Sequence, residues 1–354
     1  MIENWDNFIS LSYSHGNFPL VYNTLKEFNE LIPQNTLSLM RSRYFDIVKL
    51  NMLMTKELIK LVQELEEKNI DIITFKGPTL SKLAYDDVIS RQYLDLDILI
   101  KEDNIFEMAL FLKKLNYKID LDPKYLKNKT LFEIGSDFSI FSKNNIHIEV
   151  HWHLFRKLIN SSINQYSIWD NKNIVSINDK EIATIEINNY LLYLCVHGSK
   201  HLWERIEWVN DIHMLISKND IDWEYLILLS KELKVKKMFL LGILISDEFF
   251  STNIPIFIFD KIKKDSTLKK SLEGILNTYK SKFTDKKDTK KEIVKRFIAI
   301  STLQDNFYET VKYFISSIFK PTHYDIYFIN LPKELSFLYY FTRPIRFIVN
   351  IFKS

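Results

Sequence analysis

A single cysteine, Cys195, in 354 residues excludes an internal disulfide framework and any zinc site built from several thiolates, and it fits a reducing cytoplasm. Glycine is also scarce: six residues, against a usual share of about 7%. None of the six falls in a G-x-G-x-x-G or G-x-x-x-x-G-K-[ST] pattern, which speaks against a dinucleotide fold or a P-loop. Long apolar runs are missing too. The longest, Met238–Ser246, stops at Asp247 and Glu248, far short of the ~20 residues that span a bilayer. The start, MIENWDNFIS, has neither the basic flank nor the apolar stretch of a signal peptide, so an intracellular soluble protein is expected. Nor is there an excess of one charge. Forty-eight Lys+Arg against 45 Asp+Glu gives 48 − 45 = +3, which by itself does not imply nucleic acid.

What is present is an ordinary globular composition, 46% apolar and 26% charged, long enough for two domains or one core with helical additions. Residues 1–68 read as an N-terminal helical segment, because Leu50, Leu53, Leu58, Ile59, Leu61, Val62 and Leu65 recur at helical spacing. At Ile70–Phe75 the texture becomes β-branched and ends on Lys76-Gly77-Pro78, a strand-to-helix turn with Thr79–Tyr85 as the helix. Leu94–Ile100 reads as a strand and Asn104–Leu115 as a helix capped by Asp103 or Asn104. Asn116–Leu121, Leu131–Ser142, Asn145–Leu154 and Glu181–Ile187 are further strand candidates. This places an α/β core at 69–187.

From 188 to 354 the chain reads as helix, with Asn188 or Asn189 as the first cap and patterns near 206–217, 222–235, 236–250, 266–281 and 289–318. Residues 261–296 hold 13 Lys+Arg and 5 Asp+Glu, a local 13 − 5 = +8, which reads as a solvated helical face. The aromatic and basic stretch Tyr339–Lys353 reads as a packing segment rather than a membrane anchor.

The sharpest chemical signal is Asp95-Leu96-Asp97. On a strand both carboxylates leave the same face, and two such charges repel unless a cation lies between them; Mg²⁺ prefers hard oxygen ligands. Taken alone, the pair also describes a solvent-facing half-strand. Its context adds an anion-binding loop. Lys76 and Gly77 stand at a helix N-terminus, where backbone N–H groups receive phosphates, and Arg91 is able to clamp a phosphate bidentately or to serve as a salt-bridge partner. Downstream, His147, Glu149, His151 and His153 alternate with Ile148, Val150 and Trp152, so Glu149 becomes a third carboxylate and His151 its neighbour. His197 and His201, four apart on a helix, share a face with Lys200 nearby and Asp211 further along. Trp203, Trp208 and Cys195 read as packing residues.

The run from Phe75-Lys76-Gly77 through Tyr85, Arg91 and Asp95-Leu96-Asp97 to Glu149 and His151-Trp152 resembles the nucleotidyltransferases of the DNA polymerase beta superfamily. Within it, the chain resembles a bacterial group called uncharacterised nucleotidyltransferase, NTP-transferase family 5. His197-Gly198-Ser199-Lys200-His201-Leu202-Trp203, with Trp208 and Asp211, extends the likeness to about 215. It departs in having Gly77-Pro78 where the superfamily carries Gly-Ser or Gly-Gly. The resemblance implies an α+β fold, a small mixed-sheet core flanked by helical regions. It also implies transfer of a nucleoside monophosphate from an NTP to an acceptor with release of pyrophosphate. Asp95, Asp97 and Glu149 would hold Mg²⁺ (or Mn²⁺), and Lys76, Gly77, Arg91, His151, Lys200 and His201 would meet the nucleotide. A small molecule is the expected acceptor, ahead of a protein side chain or RNA end. A metal-dependent phosphohydrolase using the histidine stripe and a non-catalytic nucleotide-binding protein are the alternatives.

Overall fold

The structure, a computed structural model, describes residues 2–121, 125–127, 132, 135–154, 165–281, 289–322, 325–326, 329, 331 and 333–353. At its centre lies a seven-stranded mixed sheet: β1 (Ile72–Phe75), β2 (Asp95–Ile100), β3 (Lys118–Ile119), β4 (Asp137–Phe141), β5 (His147–His151), β6 (Lys172–Ile177) and β7 (Lys180–Ile185). Their order across the sheet is β3-β4-β5-β2-β1-β7-β6. The pairs β2–β5 and β1–β7 are parallel and the others antiparallel.

Period-2 alternation gives the sheet two different faces. Leu96, Ile98 and Ile100 of β2, with Ile148 and Val150 of β5, face one core. It is closed by the long helix Gln34–Glu66 through Met54, Leu58, Leu61, Val62 and Leu65, and by the helix Glu102–Lys114 through Ile105, Met108 and Leu112. Those positions follow the i, i+3, i+4 spacing read from the sequence. The opposite face carries Ile73, Phe75 and Leu99 into a second core, shared with helices from the C-terminal half. Asp95, Asp97, Glu149 and His151 stand on that second face, so the site is framed between sheet and helices.

The first of these helices, Ile187–Lys200, is capped by Glu186, whose carboxylate accepts from the Asn188 and Asn189 N–H groups at 3.0 Å each. The expected cap at Asn188 or Asn189 is therefore corrected by one turn-entry position: those asparagines are already helical. The helix Glu102–Lys114 likewise begins before Asp103, with Lys101 at its cap and no side-chain cap bond. Helices Ile206–Lys218, Trp223–Glu232, Lys236–Phe250, Ile256–Lys263 and Ser266–Ser281 follow. The expected helix 289–318 is two, Thr289–Thr302 and Phe307–Phe319, because Asn306 caps the second by accepting from the Glu309 N–H at 3.0 Å. The expected strand at 131–142 is observed over Asp137–Phe141, with 131 and 133–134 outside the described residues.

Among the elements not anticipated are β6 and the short helix Gln165–Asp170, while the helix Ile256–Lys263 falls within the stretch read as helical without having been singled out. β6 is an edge strand joined to β7 by the left-handed pair Asn178 (φ 48°) and Asp179 (φ 62°), a type I′ hairpin geometry.

The His197-Gly198 pair has a packing reason. A Cβ at Gly198 would lie 2.4 Å from the ring of the fully buried Trp203, whose backbone N–H donates to the Gly198 carbonyl at 2.8 Å. Gly198→Ala is expected to destabilise the protein by about 1–3 kcal/mol, because neither the helix nor the indole has room to shift. Thermal melting checks this, and an unchanged melting temperature would refute it.

Candidate active site

Register brings the sequence-predicted residues together. Asp95 pairs with His147, Asp97 with Glu149 and Leu99 with His151 across the parallel β2–β5 ladder, while Phe75 pairs with Asp97 on the other side. Oxygen and nitrogen atoms of Asp97, Glu149 and His151 lie within 4.8 Å of one another, as do those of Asp95, His147 and Glu149, so the two clusters share Glu149.

Asp97 is the buried centre, 1% exposed. Its Oδ1 accepts from Lys76 Nζ at 2.9 Å and lies 3.2 Å from His151 Nε2, which is itself 3.3 Å from Glu149 Oε2. Burial raises an aspartate's pKa, but here the charge of Lys76 and the bond and charge of His151 prevail and hold the carboxyl down at about 2. Burial opposes the charge on His151 as well, yet Asp97 and Glu149 lift it to about 9. Burial works against the charge of the half-buried Lys76, but Asp97, Tyr193 and Asp95 prevail and keep its pKa well above the ordinary lysine value. Asp95 shifts the other way, raised by burial and by the Asp97 charge.

The other carboxylate oxygen of Asp97, Oδ2, is buried with no hydrogen-bond partner. An orphaned carboxylate oxygen among two further acidic residues fits a divalent cation. The hard oxygens of Asp95, Asp97 and Glu149 favour Mg²⁺, and an imidazole beside each cluster suits Mn²⁺ equally.

The lysine turn is strained. Lys76 has φ 56° and ψ −151°, a region that is nearly glycine's alone, and Gly77 follows at φ 42°. The buried Tyr190 hydroxyl accepts the Lys76 backbone N–H, and Thr79 Oγ1 donates to the Lys76 carbonyl at 3.0 Å. These bonds hold a conformation that places the ammonium on Asp97 at the foot of the helix Gly77–Tyr85. Tyr190 was not singled out in the sequence, since an apolar-face tyrosine 114 residues away gives no sign of its partner.

A cavity of about 420 Å³ opens over this cluster. The sheet side contributes Lys76, Asp137, Glu149 and His151, and the helical side contributes Tyr193, His197, Lys200 and His201, with Glu309 and Tyr313 from further along the chain. Lys200 and His201 are thus brought to the same space as Lys76 and Glu149. Asp137 and Tyr193 are additions the sequence did not flag. Asp137 is signalled only by its pairing opposite His151. Tyr193 lies one turn before His197, with the two rings stacked at 5.8 Å.

The remaining candidates go elsewhere. Arg91 is 6% exposed and committed to carboxylates: its Nε donates to both oxygens of Asp211 at 3.1 and 3.0 Å, and its Nη2 lies 3.9 Å from Glu207. Tyr85 donates to Asp211 at 2.9 Å and accepts from Asn210 Nδ2 at 3.0 Å. Tyr85, Arg91 and Asp211 therefore form a buried clamp between the sheet layer and the helix Ile206–Lys218. The histidine stripe also divides. His147 bonds Ser139 Oγ at 2.8 Å and stacks on Phe141, whereas His153 lies beyond the strand end, 3.3 Å from Glu102.

Burial, together with the like charges of Lys76, His201, Lys200 and Arg91, pushes the pKa of His197 well below its ordinary value. Below about pH 6.5 the unfolded chain binds a proton at this residue and the folded one does not, so stability falls with falling pH. Between about pH 7 and pH 5 the melting temperature is expected to drop less in His197→Asn than in the parent. Parallel curves would show that His197 does not carry the effect.

A family model described as uncharacterised nucleotidyltransferase matches residues 2–251. No curated protein sequence matches the chain significantly. Solved structures are similar to parts of it, among them the following three. The lincosamide antibiotic adenylyltransferase LnuA, lincomycin-bound, is 17% identical, with 46% of this chain and 97% of that one covered and a TM-score of 0.34. ANT(2")-Ia in complex with adenylyl-2"-tobramycin is 9% identical, covering 51% and 97%, with a TM-score of 0.36. An antigenic nucleotidyltransferase-like protein from Paracoccidioides brasiliensis is 14% identical, covering 62% and 91%, with a TM-score of 0.33.

Proposed function

The chain belongs to the uncharacterised nucleotidyltransferase family, and on that premise we propose that it transfers a nucleoside monophosphate from an NTP, ATP among the candidates, to a small-molecule acceptor in the cytoplasm. The observation that carries this reading is the pair of clusters Asp95–His147–Glu149 and Asp97–Glu149–His151, joined through Glu149, with Asp97 Oδ2 left without a hydrogen-bond partner beside the strained Lys76-Gly77 turn. Asp95, Asp97 and Glu149 would hold Mg²⁺ or Mn²⁺. When bound there, the ion supplies Lewis acidity toward the phosphate oxygens and the entering nucleophile.

The chain's own residues do the rest. The acceptor hydroxyl oxygen attacks the α-phosphorus and gives up its proton to water, the new O–P bond forms as the bond to the oxygen bridging to the β-phosphorus breaks, and pyrophosphate leaves. Lys76 Nζ, fixed on Asp97, gives the phosphates a permanent positive charge at the floor of the cavity, and the Gly77 amide opens the helix N-terminus to a phosphate oxygen. His151, held between Asp97 and Glu149, orients both carboxylates. Lys200 and His201 meet the nucleotide from the helical side of the cavity. Arg91 acts at a distance, by fixing the sheet layer to the helix Ile206–Lys218.

The test is incubation with each NTP labelled at the α-phosphate, with Mg²⁺ and fractionated small-molecule extract. Label is expected to move to an acceptor with stoichiometric pyrophosphate, to stop with a chelator and to resume with Mg²⁺ or Mn²⁺. Release of orthophosphate in place of pyrophosphate would make the protein a phosphohydrolase.

A further inference from the structure

The acids of the candidate site meet two histidines, and the two are used differently. His151 turns Nε2 to two carboxylates at once, Asp97 Oδ1 at 3.2 Å and Glu149 Oε2 at 3.3 Å, which is the position of a hydrogen-bond donor. A nitrogen occupied in this way offers no lone pair to a cation. His147 stands opposite Asp95 across the β2–β5 ladder, two residues from Glu149 on the same face. Its hydrogen bond among the described residues joins Nε2 to Ser139 Oγ at 2.8 Å, and no carboxylate bonds the ring. One ring nitrogen is therefore placed, and Nδ1 is left for a ligand.

Ligand atoms of Asp95, His147 and Glu149 lie within 4.8 Å of one another, and all three residues are half-buried. They come from two neighbouring strands, one from β2 and two from β5, so they do not depend on a single strand to surround an ion. Asp97 points independently to a cation in this place. It is 1% exposed, two residues from Asp95 and opposite Glu149, and its Oδ2 has no hydrogen-bond partner.

The surroundings of His147 are those of a metal ligand. A ligating histidine gives its other ring N–H to a neighbouring acceptor, which fixes both the tautomer and the ring orientation. Ser139 Oγ fills that role, and the ring lies on Phe141 with centroids 5.0 Å apart and planes 22° from parallel. β4 supplies both partners, Phe141 opposite His147 and Ser139 opposite Glu149. The donor set then decides the metal. Mg²⁺ is served by oxygen atoms alone and gains nothing from an oriented imidazole, whereas one imidazole with two carboxylates favours a divalent transition metal.

We propose that Asp95, His147 and Glu149 form a site for a divalent transition metal, held in preference to Mg²⁺ through the imidazole of His147. This site deepens the function proposed above, on whose cation it rests, and adds which metal the chain selects. His147, set apart from the cavity residues by its bond to Ser139, thereby becomes part of the metal centre.

The test is a titration of the metal-free, full-length protein with Mn²⁺ in the absence of nucleotide, followed by electron paramagnetic resonance with Mg²⁺ as competitor. Mn²⁺ is expected to bind about tenfold or more tighter than Mg²⁺, with a nitrogen coupling from one imidazole in the pulsed spectrum of the bound ion. His147→Gln should lose that coupling and weaken Mn²⁺ binding by about tenfold or more, while Mg²⁺ binding stays within about threefold. Ser139→Ala, which keeps the imidazole but releases its ring, should fall between the two. The coupling is read on the parent protein, so it decides the matter even where a variant fails to fold. Absence of the coupling in the parent, its persistence in His147→Gln, or equal Mn²⁺ affinity in the two proteins overturns the proposal. Mn²⁺ held by His147 in a protein that forms no pyrophosphate from any NTP would uphold the metal site and end the nucleotidyltransferase reading. Pyrophosphate formation without nitrogen-bound Mn²⁺ would do the reverse.

Discussion

Asp97→Asn is expected to lower nucleotidyl transfer by about a thousandfold or more, the loss that accompanies removal of a central charge from a preorganised phosphoryl-transfer site. The substitution keeps the shape of the side chain and removes its charge, so the contrast is clean. Lys76 loses the carboxylate that its ammonium rests on, and His151 loses one of the two acids that keep it protonated. Two of the proposed metal-holding oxygens are replaced by one carbonyl oxygen and an amide NH₂ that cannot ligate. Single-turnover assays with an α-labelled NTP read the chemical step directly, and melting curves show whether the fold survives. Activity within tenfold of the parent in a folded Asp97→Asn protein would remove Asp97 from the proposed site. Glu149→Gln and Asp95→Asn should follow the same direction, because Glu149 belongs to both clusters and Asp95 to the one that adjoins Asp97 through it.

Arg91→Met is expected to act on stability, by about 3–5 kcal/mol. The guanidinium holds Asp211, which is fully buried and also receives the Tyr85 hydroxyl, so its removal strands a carboxylate away from water. The charges of Asp211 and Glu207 hold the Arg91 pKa above its ordinary value in spite of burial, so the guanidinium stays charged, while burial raises the pKa of Asp211 against the opposing pull of Arg91. Pairing Arg91→Met with Asp211→Leu should recover much of the loss, since the cost lies in the orphaned charge. A residue that held the nucleotide phosphates directly would behave differently: Arg91→Met would raise KM for the NTP and leave the denaturation midpoint where it was. Denaturant titration alongside steady-state kinetics separates the two.

Arg91 also marks where sequence reading reaches its end. Its residue type suits a phosphate and an ion pair equally well, and the partner that decides is 120 positions away on another helix. The same limit applies to Tyr190 and to the edge strand Lys172–Ile177, whose significance depends on what lies beside them. Asp95, Asp97 and Glu149 were legible for the opposite reason. Alternation on a strand fixes which face a side chain takes, and two carboxylates on one face repel unless solvent or a cation separates them; the buried Ile98, Leu99 and Ile100 and the Lys76-Gly77 turn pointed to the cation. The Gly77 turn was legible because glycine before proline punctuates any chain, although the strained φ of Lys76 just before it was not.

By itself, then, the sequence determined the alternation of helix and strand, the two apolar faces of the sheet and the three acids that stand on one of them, since each follows from periods of 2 and 3.6 residues within a short window. The tertiary structure alone decided that Glu149 pairs with Asp97, that Asp97 keeps one oxygen without a partner, and that Arg91 is spent on Asp211. Those are contacts between segments tens to hundreds of residues apart, set by which faces pack together, and no local pattern encodes them.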